Sequence, residues 1–311
     1  MKKVLVTGAT GCVGRHAITS LAAAGWEVHG VTSRTAALPE TPGVTWHRAN
    51  LLVRGQAEKL VTRVAPTHLL HLAWYIAPGR WADAPENFAW VEASLALLRT
   101  FREHGGARFV GAGSCLEYDW SYGYCGETRT PRTPHTIYGT CKHALELLVS
   151  AAAGEDFSTA WGRIFFLYGP HEHPDRLVAS VVRSLLGGGP ALCSHGNQVR
   201  DYLFVQDVAD AFVALLDSTF TGPVNIASGR PVTLKTIVDR IGALMDRPDL
   251  IRLGARPAAA TDTPLVVADV ARLHASLPWR PQVDLDDGIR RTIAWWNSQP
   301  AVARGRVVSE V

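Results

Sequence analysis

A tyrosine and a lysine stand four residues apart in the run Y-G-T-C-K at 138–142. On a helix they lie one turn apart and share a face. That pair suits the reduction of a carbonyl group. Hydride arriving at carbon leaves charge on oxygen, and a proton donor must meet it. A free tyrosine has a pKa of about 10; a Lys142 ammonium beside Tyr138 favours the phenolate, which makes the phenol a better acid near neutral pH. Ser114, 24 residues upstream, is expected to hydrogen-bond the same oxygen. With seven tyrosines and five lysines in 311 residues, chance alone supplies about 0.1 such spacings. The pair gains its weight from its place on the helix after a buried strand.

The hydride source has its own signature. Lys3–Thr7 (K-V-L-V-T) reads as a short buried strand, and T-G-A-T-G-C-V-G follows, with Gly8, Gly11 and Gly14 at a spacing of three. A dinucleotide pyrophosphate needs backbone N–H groups and the positive end of a helix dipole, free of side chains that would block its approach. Gly8 makes the tight turn, Gly11 admits the phosphate, and Gly14 lets the helix pack on the strand. Cofactor choice is read at the end of the second strand, in V-H-G-V-T-S-R. A carboxylate there would bond the ribose 2′-OH of NAD. Thr32, Ser33 and Arg34 stand there instead, and hydroxyls with a guanidinium suit a 2′-phosphate. The expected cofactor is NADP(H) rather than NAD.

Around these motifs, apolar runs alternate with helical patterns, which predicts parallel strands joined by helices. Strands are expected at 4–7, 27–32, 44–48, 68–72, 108–111 and 159–165. Helices are expected at 12–24 (closed by Gly25), 56–64, 86–103 and 137–153. After Gly169-Pro170 the rhythm changes to short apolar pieces, with helices near 176–186, 207–217, 234–245 and 285–296. No internal repeat or low-complexity linker interrupts the chain. Its length sits at the upper edge of one core, so one large domain with a smaller annex is expected.

Composition removes several function classes. At 47% hydrophobic and 19% charged the chain reads as an ordinary globular protein. A net charge of +3 leaves no footprint for nucleic acid or a membrane surface. The five cysteines, Cys12, Cys115, Cys125, Cys141 and Cys193, are odd in number and lack C-x-x-C spacing. That argues against a disulfide framework or a structural zinc site and fits a reducing cytoplasm. The opening M-K-K-V-L-V has an apolar run too short for a signal peptide, and no stretch is long enough to span a membrane.

The chain resembles the extended short-chain dehydrogenase/reductases, in their nucleotide-sugar epimerase/dehydratase group. The resemblance rests on T-G-A-T-G-C-V-G, H-L-A-W at 71–74, G-A-G-S-C-L-E-Y at 111–118, Y-G-T-C-K and R-I-F-F-L-Y-G-P at 163–170. It continues through V-R-D-Y-L-F-V-Q-D-V-A-D-A at 199–211, N-I-A-S-G at 225–229 and the terminal D-G-I-R-R-T-I-A-W-W. It implies a Rossmann-type α/β fold: a doubly wound parallel sheet with a smaller C-terminal α/β substrate-binding lobe. The dinucleotide domain would span 1–165, with 200–226 counted to it, and the substrate lobe 166–199 and 227–311. Ser114, Tyr138 and Lys142 match the family's catalytic triad, with Lys142 also holding the nicotinamide ribose. Cofactor contacts are expected from Thr7, Gly8, Thr10, Gly11, Cys12, Val13, Gly14, Ser33, Arg34, Asn50, Leu51, Leu72, Ala73, Trp74, Tyr138, Lys142 and Phe165. Substrate contacts are expected from Ser114, Cys115, Phe166, Arg200 and Arg256. The implied partner is a nucleotide-diphosphate sugar, and the implied assembly a homodimer built from the helices after the fourth and fifth strands.

Departures from the family's pattern bear on the reaction. Its 4,6-dehydratases place Asp-Glu directly after the catalytic Ser or Thr; here those positions are Cys115 and Leu116, and leucine takes no proton. Glu117 comes one residue too late, and if 114–118 is extended it faces the other way. Many epimerases carry Asn where Phe166 stands. What remains is net reduction by NADPH of a keto group on a nucleotide-linked 4-keto-6-deoxy sugar, with an NAD-dependent epimerase as the alternative and a non-catalytic NADP-sensing protein as a third reading. Arg200 matches an arginine that contacts the diphosphate; its structural alternative is an ion pair with Asp201 or Asp207. His171-Glu172-His173 lacks a third ligand at a metal spacing, so no metal is expected. His71, Cys115 and Cys141 read as packing residues. Trp120, Tyr122 and Tyr124 either stack a base or sugar or pack their own loop.

Overall fold

The computed structural model describes residues 2–35, 38, 40–77, 79–258 and 262–300. The first half runs β1 (Lys3–Thr7), α1 (Cys12–Ala23), β2 (Glu27–Thr32), β3 (Val44–Arg48), α2 (Gln56–Val64), β4 (His68–His71), α3 (Glu86–Glu103), β5 (Arg108–Ser114), β6 (Tyr124–Cys125), α4 (Ile137–Ala151) and β7 (Ser158–Ile164). The second half runs β8 (Phe166–Tyr168), α5 (Leu177–Leu186), β9 (Ala191–Leu192), β10 (Val199–Phe204), α6 (Val205–Asp217), β11 (Gly222–Ile226), β12 (Pro231–Thr233), α7 (Leu234–Leu244), β13 (Ile251–Arg252), β14 (Leu265–Ala268), α8 (Ala271–Ser276) and α9 (Leu285–Ser298).

Seven strands form one parallel sheet in the order β11-β7-β5-β4-β1-β2-β3. The order reverses beside β1, which leaves a crevice at the carboxyl ends of β1 and β4. One face is closed by α1 and α6, around Ala17, Ile18, Leu21, Phe212 and Leu215. On the other face lie α2, α3 and α4, whose Leu60, Leu97, Phe101, Leu145 and Val149 meet Phe109 and Trp161 of the sheet. Covering both faces explains why β1 and β5 read as continuous apolar or small-residue runs rather than alternating ones. Arg108 ties the two layers: its guanidinium donates to the carbonyls of Leu215, Leu216 and Phe220 at the C-terminal end of α6, where the helix dipole favours a cation.

The second sheet has the order β12-β10-β14-β6, with β8 also paired to β10. Its core is formed by α5, α7 and α9 through Val178, Val182, Ile237, Ile241 and Ile289. The stretch 200–226 therefore divides: β10 belongs to this sheet, whereas α6 packs on α1 and β11 joins the large sheet.

Several strand ends differ from the sequence reading, and two of the differences have a tertiary cause. β5 continues past Gly111 to Ser114, with all seven residues buried. Its glycines hide it from a propensity argument, and the reason for them is tertiary. A Cβ on Gly111 would lie 2.3 Å from the Trp161 ring, and one on Gly113 2.1 Å from Trp161 Nε1. Beyond Ile164 the chain breaks pairing for one residue and re-enters as β8 in the other sheet, so the expected single strand over 159–165 divides at Phe165.

Candidate active site

The phosphate loop has the geometry its glycines predict. Gly8 adopts φ +67°, and its carbonyl accepts from Gly11 N at 2.8 Å. A Cβ on Gly8 would meet Ala73 N at 2.8 Å and Leu72 C at 2.9 Å, so the ends of β1 and β4 close on one another here. A Cβ on Gly14 would lie 2.1 Å from Gly8 O. Gly11 precedes α1 without a side-chain cap, which leaves the amides of Cys12, Val13 and Gly14 as the donors of an anion site. This cradle, shaped by contacts that only glycine tolerates, fits a dinucleotide pyrophosphate.

Thr7 organises the opposite wall. Its hydroxyl lies 2.7 Å from His71 Nδ1 and accepts from Ala73 N at 3.2 Å, while His71 Nε2 lies 2.8 Å from Ser94 Oγ. Burial, followed by the charge of Lys142, pushes His71 down to about 3, so it is a neutral structural link. At the end of β2, Thr10 and Thr32 hydroxyls are 3.0 Å apart, and Arg34 N donates to Thr32 Oγ1 at 3.1 Å. Ser33 and Arg34 are exposed. The guanidinium of Arg15, held by Thr10 O at 3.0 Å, is lowered first by burial and then by the positive charge of Arg34. The charges of Arg15 and Arg34 thus act on one another near the end of β2. Asn50 is exposed and accepts from Leu52 N, whereas Leu51 is buried in the core beneath α2.

Ser114, Tyr138 and Lys142 are brought together. Ser114 ends β5 and caps a 3₁₀ turn, Cys115–Glu117, by accepting from Leu116 N at 3.2 Å. The start of α4 lies on this turn, and only a glycine after Tyr138 permits it: a Cβ on Gly139 would be 2.3 Å from Leu116 O. Thr136 caps α4 by accepting from Gly139 N at 3.0 Å. Tyr138 N donates to Ala82 O at 2.8 Å, which fastens the loop after β4 to the same point. The Tyr138 ring lies edge-on to Trp81 at 5.0 Å and to Trp74 at 6.3 Å. Lys142 Nζ donates to Ala112 O at 2.7 Å and sits 3.8 Å from the centroid of the Trp74 ring.

The electrostatics correct one sequence expectation. Burial pushes the Tyr138 phenol above its ordinary value; a hydrogen bond with Ser114 pulls it down, and the charge of Glu117 opposes that pull. Burial is the largest influence on the phenol, and Lys142, engaged by Ala112 and Trp74, is not among the charges that act on it. Lys142 itself is driven down to about 7 by burial, with Glu117 acting in the opposite direction.

Glu117 is the residue the sequence reading misplaces. The segment 114–118 is not extended, so the carboxylate does not face away. It is fully buried and accepts from Ser114 N at 2.8 Å, Trp161 Nε1 at 3.0 Å and Arg163 Nε at 2.5 Å. The signal is present in the capping-box spacing Ser114–Glu117. Asn87 also escapes the sequence reading: its side chain accepts from Trp74 Nε1 at 2.8 Å and donates to Trp81 O at 2.8 Å, so it sets both tryptophans. Arg176, exposed at the start of α5, lies 5.9 Å from the Trp81 ring.

The expected substrate contacts are distributed unevenly. Cys115 and Phe165 are buried in the small cluster beneath the turn, and burial pushes the Cys115 thiol up. Phe166 lies between Trp120 and Tyr202, at 6.0 and 5.6 Å. Arg200 pairs with Asp262, not with Asp201 or Asp207, and its guanidinium lies 5.4 Å from the Phe166 ring. Asp201 instead accepts from Ser228 and Gly229 amides, and Asp207 from those of Gln282 and Val283. Arg256 is exposed beside Cys193, to whose carbonyl its amide donates. Among the described residues no group of three or more His, Cys, Asp or Glu side chains could hold a metal ion, and no helix is long and apolar enough to cross a membrane.

Known proteins are similar to this chain over nearly its whole length. It is 27% identical to a dTDP-glucose 4,6-dehydratase of Xanthomonas campestris pv. campestris, covering 97% of this chain and 95% of that protein. It is 26% identical to a UDP-glucose 4-epimerase of Rhizobium meliloti, covering 91% and 93%. Among solved structures, the UDP-glucose 4-epimerase of Thermus thermophilus in complex with NAD superposes with a TM-score of 0.85 at 26% identity, over 95% of this chain and 99% of that one. MoeE5 in complex with UDP-glucuronic acid and NAD superposes with a TM-score of 0.83 at 29% identity, over 95% and 99%. The sequence pattern of the NAD dependent epimerase/dehydratase family matches residues 4–227. With a glycine cradle at the crevice of a parallel sheet and a tyrosine–lysine pair beside it, the chain belongs to the NAD-dependent epimerase/dehydratase family.

Proposed function

We propose that this protein transfers hydride between a nicotinamide dinucleotide and a hexose carried on a nucleoside diphosphate, and that its net reaction is reduction of a 4-keto-6-deoxy sugar by NADPH. The observation that carries the reading is the convergence of Ser114, Tyr138 and Lys142 beside the glycine cradle. The dinucleotide, when bound, supplies the hydride. Tyr138 Oη gives its proton to the ketone oxygen, Ser114 Oγ orients that oxygen, and Lys142 grips the ribose and holds positive charge by the phenol. Dehydration is disfavoured, because the turn after Ser114 offers a buried thiol, a leucine and a carboxylate already engaged by three donors. Exposed Phe88, Leu147 and Leu148 on α3 and α4 support assembly as a dimer through those helices.

The choice of NADPH rests on Arg34 and Arg15 and on the absence of a carboxylate at 32–34. Arg34→Ala is expected to weaken NADPH binding about tenfold, or ~1.4 kcal/mol, and to leave NADH binding almost unchanged. Fluorescence titration with both dinucleotides checks this.

The second reading is a 4-epimerase, favoured by the similarity to the Thermus thermophilus epimerase with bound NAD. Turnover separates the two. A reductase consumes NADPH stoichiometrically with a nucleotide-linked 4-keto-6-deoxy sugar. An epimerase purifies with NAD and interconverts UDP-glucose and UDP-galactose with no net change in the absorbance of the reduced nicotinamide band. Interconversion without consumption overturns the reductase reading.

A further inference from the structure

Beneath the catalytic pair lies a group of charges that the proposed reaction does not use directly. Glu117 and Arg163 are both fully buried. Arg163 lies between two carboxylates: its Nε donates to Glu117 Oε2 at 2.5 Å and its Nη2 to Glu146 Oε2 at 3.4 Å. Its Nη1 donates to Tyr118 Oη, which in turn donates to Asn225 Oδ1 at 2.7 Å. One guanidinium therefore faces two carboxylates, and the cluster lacks one positive charge. The buried Lys142, one turn before Glu146 on α4, lies beside this cluster: its Nζ donates to Ala112 O and stands 5.8 Å from the Trp161 ring, whose Nε1 donates to Glu117, and the charge of Glu117 acts on it. The other titratable groups around Lys142 do not fill that place. His71 on β4 is held neutral by burial. His143, beside Glu146 at 3.5 Å, is lowered by burial. Tyr138 on α4 and the buried thiol of Cys115 both carry no charge when protonated, and the segment from β4 through α3 contributes Trp74, Trp90 and Ser94. The Glu117 carboxylate therefore favours the ammonium form of Lys142 against the burial that opposes it.

Resting on the hydride-transfer reading above, we infer that Glu117 is a positioning residue: its carboxylate pins the Ser114 backbone and, through the buried cluster it shares with Arg163 and Glu146, holds Lys142 in the charged form. One side chain thus sets two members of the catalytic group, from a turn on which the start of α4 also rests. The carboxylate does not touch substrate; it is engaged by Ser114 N, Trp161 Nε1 and Arg163 Nε.

The test is Glu117→Gln, which keeps an acceptor for Ser114 and Trp161 but removes the charge. Lysine labelled with ¹³C at Cε is introduced, and the Lys142 signal is assigned by its loss in Lys142→Arg; five lysines make the spectrum sparse. Glu117 raises the midpoint of Lys142, so the variant must lower it, by about one pH unit or more. Turnover that needs the ammonium is lost as pH rises through that midpoint, so the alkaline limb of the kcat profile moves acidward by the same amount. A folded variant whose Lys142 midpoint stays within about 0.3 unit of wild type overturns the inference. If Glu117→Gln does not fold, Glu146→Gln is used instead. It frees Arg163 to neutralise Glu117 more fully, so the Lys142 midpoint must again fall, and an unmoved midpoint overturns the inference. The titration needs no substrate. Failure of every nucleotide sugar to turn over would therefore count against the proposed function alone.

Discussion

Tyr138→Phe is expected to lower kcat by about 10²- to 10⁴-fold, with little change in dinucleotide affinity or in Tm. The size follows from what is lost. The phenol places an acidic hydrogen beside Ser114, with Lys142 one turn on along the same helix, and phenylalanine retains the other contacts of the ring, including the edge-on packing with Trp81 at 5.0 Å and Trp74 at 6.3 Å. The hydroxyl's hydrogen bond with Ser114 is the bond removed, which costs about 1 kcal/mol of stability at most. Steady-state kinetics, a dinucleotide titration and a thermal melt on the same preparation distinguish the outcomes. If turnover persisted near the wild-type rate, Tyr138 would not be the proton donor.

The second large effect is expected at Gly14, where a side chain is excluded by distance and not by backbone conformation. A Cβ there would fall 2.1 Å from Gly8 O and 2.8 Å from Ala9 Cα, both backbone atoms of the loop it supports. Gly14→Val forces α1 away from β1 and opens the cradle whose amides would hold the pyrophosphate. We expect dinucleotide binding to weaken by at least about 100-fold, because the anion site loses its geometry. Overpacking of this kind also costs about 1–3 kcal/mol of stability. Wild-type affinity for NADPH in the variant would show that the pyrophosphate is held elsewhere. Fluorescence titration reads the first effect and thermal unfolding the second.

Both variants fall on residues that local sequence exposes well. Gly8, Gly11 and Gly14 announce a cradle because a strand, a turn and a helix follow one another within a few residues. Tyr138 and Lys142 announce a shared helix face because four residues make one turn. Local reasoning fails where the determining partner lies far along the chain. Propensity ends β5 at Gly111, but its glycines answer to Trp161 on the adjacent strand. Strand alternation turns Glu117 away, since nothing local says that Arg163, 46 residues later, will sit beneath it. Proximity in sequence gives Arg200 the partners Asp201 or Asp207, whereas Asp262, 62 residues on, takes that place. A lysine one turn away should pull the Tyr138 phenol down, but burial pushes the phenol up and the lysine down.

Consecutive residues were thus enough for the parallel α/β architecture, for the glycine turn after β1 and for placing Tyr138 and Lys142 on one helix face. Each depends on spacing within one strand–turn–helix unit or on one helix face, and short-range geometry is written in neighbouring positions. Packing settled the rest: which charges are buried together, how the tryptophans enclose Tyr138, and what the Lys142 ammonium group meets. Those depend on desolvation and on distances between elements separated by tens of residues, and such quantities come into being only when the sheet and its helices close around them.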